Sequence, residues 1–490
     1  MSPARAARLS KSRVISWRQC SRRLWLEAYR PDLKVVPAAV QRSFDLGHQV
    51  GEVARALHPG GILIDPPSLG EAARQTAMYL ARRGDLTLFE ATLSHRGVLV
   101  RADLLFRERG RCRMVEVKSS TAVRPYHIED VAVQTWVVRG AGVPLDHVAL
   151  AVVDRDFVYR GDGDFHGLFL ETDVTGQVDE LVAQIPDWIE QCGVVLAGDE
   201  PDLPVSTACA TPFSCPFVDH CSGGLPEYPV TLLPRGASVA EQLLAAGYHD
   251  LRTVPDHWAF SDAHRRVWQA TRSGRPDFDP TAAAHLDGLP WPRFYLDFET
   301  VQFAVPVWAG TRPWEQLPFQ WSCHVEHESG RLEHREFLDV SGEPPMRECA
   351  ERLVAALGEA GPIFVYSGFE KGVLAGLATR FPHLAGPLQA SADRLVDLHP
   401  VTEAAWYHPA MKGSWSIKAV LPTVAPGLDY ADLGEVNDGT AAQSAYAEAI
   451  HPDTPPDRAD ELAAALLAYC AQDTLALVRL AHFLQSRPSV

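Results

Sequence analysis

The chain has 490 residues, a formal net charge of −17 and a hydrophobic content of 46%. This length exceeds one ordinary core and predicts two or three domains, and the strong negative charge argues against a protein that coats nucleic acid through overall attraction. No stretch reaches the roughly 18 apolar residues of a membrane helix, and the N-terminus lacks the apolar core of a signal peptide. A cytoplasmic protein without membrane contact is therefore expected.

The first forty residues are basic and contain interleaved aromatic side chains, and the run from Leu9 to Tyr29 has a helical pattern. Either a solvated helix face or a segment that contacts phosphate groups would produce this composition. The basic residues are Arg5, Arg8, Lys11, Arg13, Arg18, Arg22, Arg23, Arg30 and Lys34.

An α/β module is predicted next, because helical and strand-like patterns alternate. The predicted helices are 41–57 and 128–139, and the predicted strands are 87–90, 98–105, 113–118 and 148–153.

Asp103, Glu116 and Lys118 lie on neighbouring predicted strands, and Glu116 and Lys118 share a face because they are two residues apart. Two carboxylates that hold a hard divalent cation, with a lysine that orients the attacking water, are the groups that phosphodiester hydrolysis needs. A salt-bridged surface hairpin would have the same spacing.

Cysteines close this module at Cys209, Cys215 and Cys221, and Cys20 lies in the first predicted helix. Disulfides are not expected in a cytosolic chain, so four thiolates indicate zinc or an iron–sulfur cluster. The wide spacing, with one cysteine far upstream, favours the cluster over zinc.

On these motifs, residues 1–225 resemble the RecB-type PD-(D/E)xK nucleases, especially the CRISPR-associated exonucleases that carry a [4Fe–4S] cluster. The resemblance implies a restriction-endonuclease-like fold. It assigns cluster ligands to Cys20, Cys209, Cys215 and Cys221, catalysis to Asp103, Glu116, Lys118 and Gln134, and an additional metal-ligand position to Glu90. Gly51 stands where the family often has a metal-binding His, with His48 or Glu52 as substitutes, and Val138 replaces a Tyr.

Strand character is absent between Cys221 and Pro292, and short helical patterns separated by Gly and Pro predict a helical linker over residues 226–290.

A second α/β module is predicted over residues 291–490. Its strands are expected near 294–298, 317–325, 333–338 and 363–366, and its helices near 345–358, 369–380 and 459–486.

Asp297 and Glu299 project to one side of an apolar strand, and Tyr469 and Asp473 lie one turn apart on a helix. Asp297, Glu299 and Asp473 are the expected ligands of a two-metal site, with Tyr469 orienting the water. Glu370, at the start of another helix, is a further acidic candidate, and Asp397 competes with it.

These motifs resemble the DEDD exonucleases of the RNase H-like superfamily, in the subclass with Tyr in the third motif; Glu370 departs from the usual Asp. The whole C-terminal half is also similar to an uncharacterised bacterial domain found fused behind RecB-like nucleases. Its matching segments are 294–300, 310–313, 317–320, 413–422 and 469–474. Arg312 and Lys418 are candidate phosphate contacts.

The sequence thus predicts a metal-dependent DNA nuclease with two modules, using Mg²⁺ or Mn²⁺ and a [4Fe–4S] cluster, in which the second module trims 3′ ends. One alternative is that the C-terminal site cuts RNA. The other is that the N-terminal module is a non-catalytic clamp that binds DNA.

Overall fold

The computed structural model describes residues 9–36, 38–428 and 430–486, and the chain divides into two units. The first unit comprises Met1–Gly223 with Phe303–Glu315, and the second comprises Gly224–Gln302 with Gln316–Val490. Arg5 and Arg8 of the predicted basic segment lie outside the described residues.

The first unit is built around a seven-stranded sheet with helices. Its strands are β1 (Leu9–Ser10), β2 (Ile62–Leu63), β3 (Leu86–His95), β4 (Val98–Glu108), β5 (Arg111–Lys118), β6 (Leu145–Val153) and β7 (Phe169–Asp173). Its helices are α1 (Lys11–Gln19), α2 (Ser21–Tyr29), α3 (Ala38–Ala56), α4 (Leu69–Leu80), α5 (Pro125–Gly140), α6 (Thr175–Val182), α7 (Ile185–Ala197) and α8 (Val218–Ser222).

The strands of this sheet follow the order β2-β3-β4-β5-β6-β7, and β1 pairs with β4. Strands β3, β4 and β5 form an antiparallel meander, whereas β5 and β6 are parallel and α5 connects them. The buried face of the sheet packs against α5 through a core that includes Val100, Met114, Val133 and Leu150. The mixed α/β class that the sequence predicts is confirmed.

The single helix predicted from Leu9 to Tyr29 is wrong, because the chain breaks it at Cys20. Cys20 has φ −163° and ψ 125°, and its N–H donates to Ser16 O at the end of α1. Because Cys20 is extended, α2 begins after it as a separate helix. Helix α2 packs against α7.

The second unit contains a five-stranded sheet, a two-stranded sheet and nine α-helices within its described residues. The strands are β8 (Asp277–Phe278), β9 (Arg293–Val301), β10 (Leu317–Glu326), β11 (Leu332–Leu338), β12 (Ile363–Val365), β13 (Leu395–Asp397) and β14 (Trp406–Tyr407). The helices are α9 (Ala237–Ala245), α10 (Asp262–Ser273), α11 (Met346–Leu357), α12 (Phe369–Arg380), α13 (Ala385–Ala392), α14 (Leu398–Ala405), α15 (Ile417–Val424), α16 (Gly439–Ala449) and α17 (Pro456–Ser486).

The larger sheet has the order β11-β10-β9-β12-β13. Strands β11, β10 and β9 are antiparallel, and β9, β12 and β13 are parallel. Helices make the connections into the parallel strands, which require crossovers. The predicted strands and helices of this half agree with the observed ones to within a few residues.

Residues 226–290, predicted to form a linker, are packed into the second unit. Leu243 of α9 and Trp268 of α10 belong to the same buried core as Tyr295 of β9 and Leu480 of α17. The Trp268 indole also donates to Val254 O at 3.2 Å. These short helices bury their apolar faces in the core of the second unit. A free linker would expose those faces to water, which is unfavourable.

Helix α17 is long and apolar enough to span a membrane by length and composition, and half of its most apolar window is buried in the second unit. The sequence expectation that no segment of this kind exists is therefore corrected. Its buried residues, such as Leu466 and Leu477, pack inside the unit, as in the core helix of a folded domain. The cytoplasmic location stays a prediction.

Gly413 provides a test of the packing in the second unit. Its φ is 76°, and an added Cβ would lie 1.8 Å from the carbonyl oxygen of Leu232. Gly413→Ala should lower the free energy of unfolding by about 3 kcal/mol or more, because it adds a backbone collision to the left-handed strain. Urea denaturation checks this. The matched control Gly330→Ala has φ 79° and no atom within 4 Å of its added Cβ, so it should cost only about 1 kcal/mol; equal losses would contradict the prediction.

Candidate functional site

The acidic site of the second unit lies where two strands part. Strand β9 pairs with β10 from Arg293 to Val301, but it pairs with β12 only at Phe294 and Tyr295. Beyond Tyr295 that side of β9 is open to helix α17, which packs against the strand. Asp297 and Glu299 follow on this stretch of β9, so the local strand pattern brings both carboxylates to the gap.

Carboxylates from three places in the sequence meet there. The ligand oxygens of Asp297, Glu299 and Asp473 all lie within 4.8 Å of one another. They line a cavity of about 350 Å³ together with Glu370 and Tyr469. Glu370 lies in the first turn of α12, accepts a hydrogen bond from Ser367 Oγ at 3.3 Å and interacts with Asp297. The five residues that the sequence selects for this site are thus brought together.

Helix α17 is held against the sheet by buried polar contacts on both sides of Asp473. Gln320 Nε2 of β10 donates to Leu466 O at 2.8 Å. Thr474 Oγ1 lies 2.8 Å from both Ser322 Oγ and His324 Nδ1 of the same strand. Because these groups have no water to bond with, their pairing fixes the rotation of the helix and hence the direction of Asp473.

Two tyrosines and a lysine complete the site, and one tyrosine was not predicted. Tyr430 donates a hydrogen bond of 2.5 Å to Asp473 Oδ1, and Tyr469 bonds the same carboxylate. Lys418 Nζ lies 5.2 Å from the Tyr430 ring and 5.4 Å from the Tyr469 ring. No local motif marks Tyr430, because only the tertiary fold brings it to Asp473.

Burial and like charge raise the pKa values of these carboxylates. Burial, then Asp473 and Glu299, raise the pKa of Asp297 well above normal, and burial, then Asp473, does the same for Glu299. Burial raises the pKa of Asp473 to about 6 and that of Glu370 to about 7. Burial and the neighbouring carboxylates also raise the pKa of Tyr469, so its hydroxyl stays protonated. The Lys418 charge acts against this rise at Glu299 and Asp473, but it does not bring their pKa values back to normal. The oxygen-donor set fits hard divalent cations such as Mg²⁺ or Mn²⁺.

Asp397 and Arg312, two other predicted polar residues, are not among the residues that line the cavity. Asp397 caps α14 by accepting the His399 N–H at 2.9 Å, and its charge contributes to the raised pKa of Glu370. Arg312 belongs to the Phe303–Glu315 segment of the first unit, whereas Lys418 lies beside the carboxylates of the second.

The predicted site of the first unit forms around Glu116. Lys118 Nζ donates to Glu116 Oε1 at 2.8 Å, and Gln134 Nε2 donates to Oε2 at 2.7 Å. Asp103 Oδ2 accepts the Val117 N–H at 2.8 Å. Asp103, Glu116, Lys118 and Gln134 therefore converge as the sequence predicts.

The first site contains two further charged groups that the sequence did not single out. Lys11 Nζ donates to Glu116 Oε1 at 2.8 Å and to Asp130 Oδ2 at 3.2 Å. Asp130 also accepts from Lys118 at 2.6 Å. Asp130 lies one helical turn before Gln134 on α5, which is a local signal; Lys11 is far away in sequence and has none.

Charge compensation distinguishes this site from the other. Burial alone would raise the pKa of Glu116, but Lys11 and Lys118 hold it well below its usual range. Burial and the Glu116 charge raise the pKa of Asp103 to about 8. At neutral pH a mainly protonated Asp103 leaves two carboxylates, Glu116 and Asp130, facing two ammonium groups.

Glu90, assigned a metal-ligand role by resemblance, is instead paired with arginines. Its φ of 56° interrupts the regular ladder of β3 with β4, and its carboxylate lies 3.2 Å from Arg101 Nε and 3.9 Å from Arg55 Nη1. His48 and Glu52, the substitutes for the missing family histidine, are exposed on α3.

The four cysteines gather around α2 and α8. Cys209, Cys215 and Cys221 pack with Leu26 and Phe217. The thiols of Cys215 and Cys221 interact electrostatically with those of Cys20 and Cys209, while burial is the largest cause that raises their pKa values.

The distances between the four cysteine sulfur atoms determine which metal centre these thiols can bind. Tetrahedral zinc, with Zn–S bonds of about 2.3 Å, holds its sulfur atoms within about 4 Å of one another. Among the described residues, ligand atoms all within 4.8 Å of one another occur at Asp297, Glu299 and Asp473 and not at the cysteines. The all-thiolate donor set itself is that of an iron–sulfur cluster, which stays a prediction.

Most of the basic N-terminal side chains are engaged inside the first unit. Arg18 pairs with Glu129 at 2.7 Å, Arg22 with Glu200 at 2.7 Å and Arg23 with Glu27 at 3.0 Å. These pairs favour the interpretation as a packed helix face over a free phosphate-binding strip.

Comparison with known families covers part of the second unit. Residues 294–416 match the family described as Domain of unknown function (DUF2779). The match includes Asp297, Glu299 and Glu370 and ends before Tyr469 and Asp473. No curated protein matches the chain.

The raised pKa values predict how pH affects the metal-free protein. An unfolded Asp or Glu has a pKa near 4, whereas burial in the folded protein raises the pKa of Asp473 to about 6 and that of Glu370 to about 7. Between pH 4 and 7 the folded state binds more protons than the unfolded chain, so stability falls as pH rises.

Asp473→Asn should reduce this fall by about 2 kcal/mol, measured with EDTA as the pH dependence of the free energy of unfolding relative to wild type. Glu359→Gln, at an exposed position outside the cavity, is the matched control. Parallel pH curves for wild type and Asp473→Asn would contradict the expectation.

Proposed function

We propose that this protein is a metal-dependent nuclease whose principal catalytic centre lies in the second unit. The observation that carries the proposal is the meeting of Asp297, Glu299 and Asp473, with ligand oxygens within 4.8 Å of one another, in an open cavity. Buried carboxylates whose charge is only partly compensated, here by Lys418, are costly unless a cation binds them. Such an arrangement is suited to phosphodiester hydrolysis.

Residues around the carboxylates have distinct roles in this proposal. Divalent cations bound by Asp297, Glu299 and Asp473 would neutralise charge on the phosphate and make bound water more acidic. Tyr469, protonated and beside Asp473, would donate a hydrogen bond that orients the attacking water. Lys418 lies beside both tyrosine rings and offers a positive charge to the phosphate.

The finer fold assignments belong to the same proposal. A mixed sheet with carboxylates on its central strand supports an RNase H-like DEDD exonuclease in the second unit. The convergence of Asp103, Glu116, Lys118 and Gln134 supports a PD-(D/E)xK module in the first. We take DNA as the substrate, with trimming of 3′ ends in the second unit, and retain RNA as the alternative.

A second function for the first unit has support from its charge balance. Lys11 and Lys118 both bind Glu116 Oε1, which favours a module that binds DNA without cutting it over one with a ready metal site. In this case the second unit alone would hydrolyse the substrate.

Nuclease activity can be tested on labelled DNA and RNA oligonucleotides with Mg²⁺ or Mn²⁺. Asp297→Ala should reduce second-site cleavage by roughly a thousandfold, because it removes a ligand oxygen from the centre. Asp103→Ala should remove a distinct set of products if the first unit also cuts, and should change nothing if it is a clamp. Glu359→Gln is the control and should retain full activity. Undiminished cleavage by the Asp103→Ala, Asp297→Ala double variant would refute the proposal.

The cluster is tested by iron and sulfide analysis and the visible spectrum of anaerobically purified protein. Cys215→Ala should remove the iron and the charge-transfer absorption, because a thiolate ligand is lost. Cys112→Ala is the matched control, since Cys112 is buried in the sheet of the same unit outside the cysteine group. Stoichiometric zinc without sulfide in the wild type would refute the cluster.

A further inference from the structure

Lys11 reaches the first site from a distant part of the chain. Strand β1 runs parallel to β4, with Leu9 beside Val98 and Ser10 beside Leu99. Pairing of β4 with β5 ends at Leu104 and Val115. Strand β1 therefore lies along the part of β4 that β5 has left, and the next residue, Lys11, stands at the gap.

The start of α1 fixes the direction of this lysine. Ser10 Oγ accepts the Arg13 N–H at 3.4 Å, which caps the helix that begins at Lys11. Helix α1 packs against α5, the helix that carries Asp130 and Gln134. The Lys11 ammonium is thereby placed between Glu116 and Asp130.

Donors already occupy both oxygens of Glu116. Oε1 receives Lys11 and Lys118, each at 2.8 Å, and Oε2 receives Gln134 at 2.7 Å. A cation that bridges Asp103 and Glu116 needs one of these positions, since a positive ion cannot share an oxygen with two ammonium groups at short range.

Lys11 and Lys118 each bind Glu116 and Asp130, and Lys11 is the donor with the longer of the two contacts to Asp130. Lys118 lies on the same strand as Glu116 and holds Asp130 at 2.6 Å, whereas Lys11 contacts Asp130 at 3.2 Å. Gln134 comes from the buried face of α5 and is fully enclosed. The side chains of Lys11 and Lys118 are equally accessible, at 20% and 21% exposed, so the longer contact to Asp130 and the separate strand are what make Lys11 the easier of the two to move to water on its flexible stem.

We infer that Lys11 is a resident cation that occupies the metal position of the Asp103–Glu116 site, so that a divalent ion binds there only by displacing it. The inference rests on the proposed function in taking Asp103 and Glu116 as metal ligands. The first site should consequently bind Mn²⁺ more weakly than the second, which has no ammonium on its carboxylate oxygens among the described contacts.

A Mn²⁺ titration monitored by electron paramagnetic resonance tests this inference. It uses the double variant Asp297→Asn, Glu299→Gln, in which the second site has lost two of its ligand carboxylates, so that only the first site is measured. Lys11→Met should tighten Mn²⁺ binding at the first site by about tenfold or more, because a competing positive charge is removed. Lys34→Met, at an exposed lysine of the same unit, should leave the affinity unchanged. Adding Asp103→Asn to Lys11→Met should abolish the gain. Unchanged or weaker binding in Lys11→Met would overturn the inference.

A second measurement uses the unmodified protein, in case the variants fail to fold. Reductive methylation followed by mass spectrometry should show Lys11 reacting faster with saturating Mn²⁺ than with EDTA, with Lys34 as the internal reference. Equal Lys11 reactivity in the two states would overturn the inference. Both experiments measure binding or exposure, so a failure of nuclease activity would be seen separately.

Discussion

Repulsion between buried carboxylates is the constraint on which the second unit depends. Asp297, Glu299 and Asp473 are brought together with their oxygens within 4.8 Å of one another, and each removal of charge from water is costly. Hydrogen bonds from Tyr430 and Tyr469 stabilise only Asp473. The sheet and α17 must therefore hold the group in place, and Gln320 and Ser322 do so through contacts to the helix. The remaining imbalance is what makes the site a candidate for cations.

The first unit answers the same constraint in a different way. Its central carboxylate, Glu116, is matched by Lys11 and Lys118, and Asp130 shares both ammonium groups. Removing one partner of such a buried ion pair is costly, because it leaves the other charge uncompensated, and under our inference the same pairs oppose metal entry. Two sites with similar residue types thus differ in charge balance, because two ammonium groups bind the carboxylates of the first, whereas the pKa values of the carboxylates in the second stay raised despite Lys418.

Both sites lie where strand pairing ends. Strands β4 and β5 part after Leu104 and Val115, and β9 and β12 part after Tyr295 and Phe364. A gap between strands leaves room for side chains from elsewhere in the chain, and helices fill it: α1 follows β1 into the first gap, and α17 packs against β9 at the second. This explains why each site joins residues more than a hundred positions apart.

Local sequence patterns predict most of the strands and helices around the two sites and the spacing of the site residues along them. Side chains two residues apart share a face of a strand, which places Glu116 with Lys118 on β5 and Asp297 with Glu299 on β9. Side chains four residues apart share a face of a helix, which places Tyr469 with Asp473 on α17. Both spacings follow from backbone geometry alone. The tertiary structure alone decided that Lys11 and Tyr430 join the sites, that Glu90 turns to Arg101, that Cys20 breaks a helix, and that residues 226–290 pack into the second unit. Those outcomes depend on which strands and helices meet, and non-local pairing leaves no periodic signal in the chain.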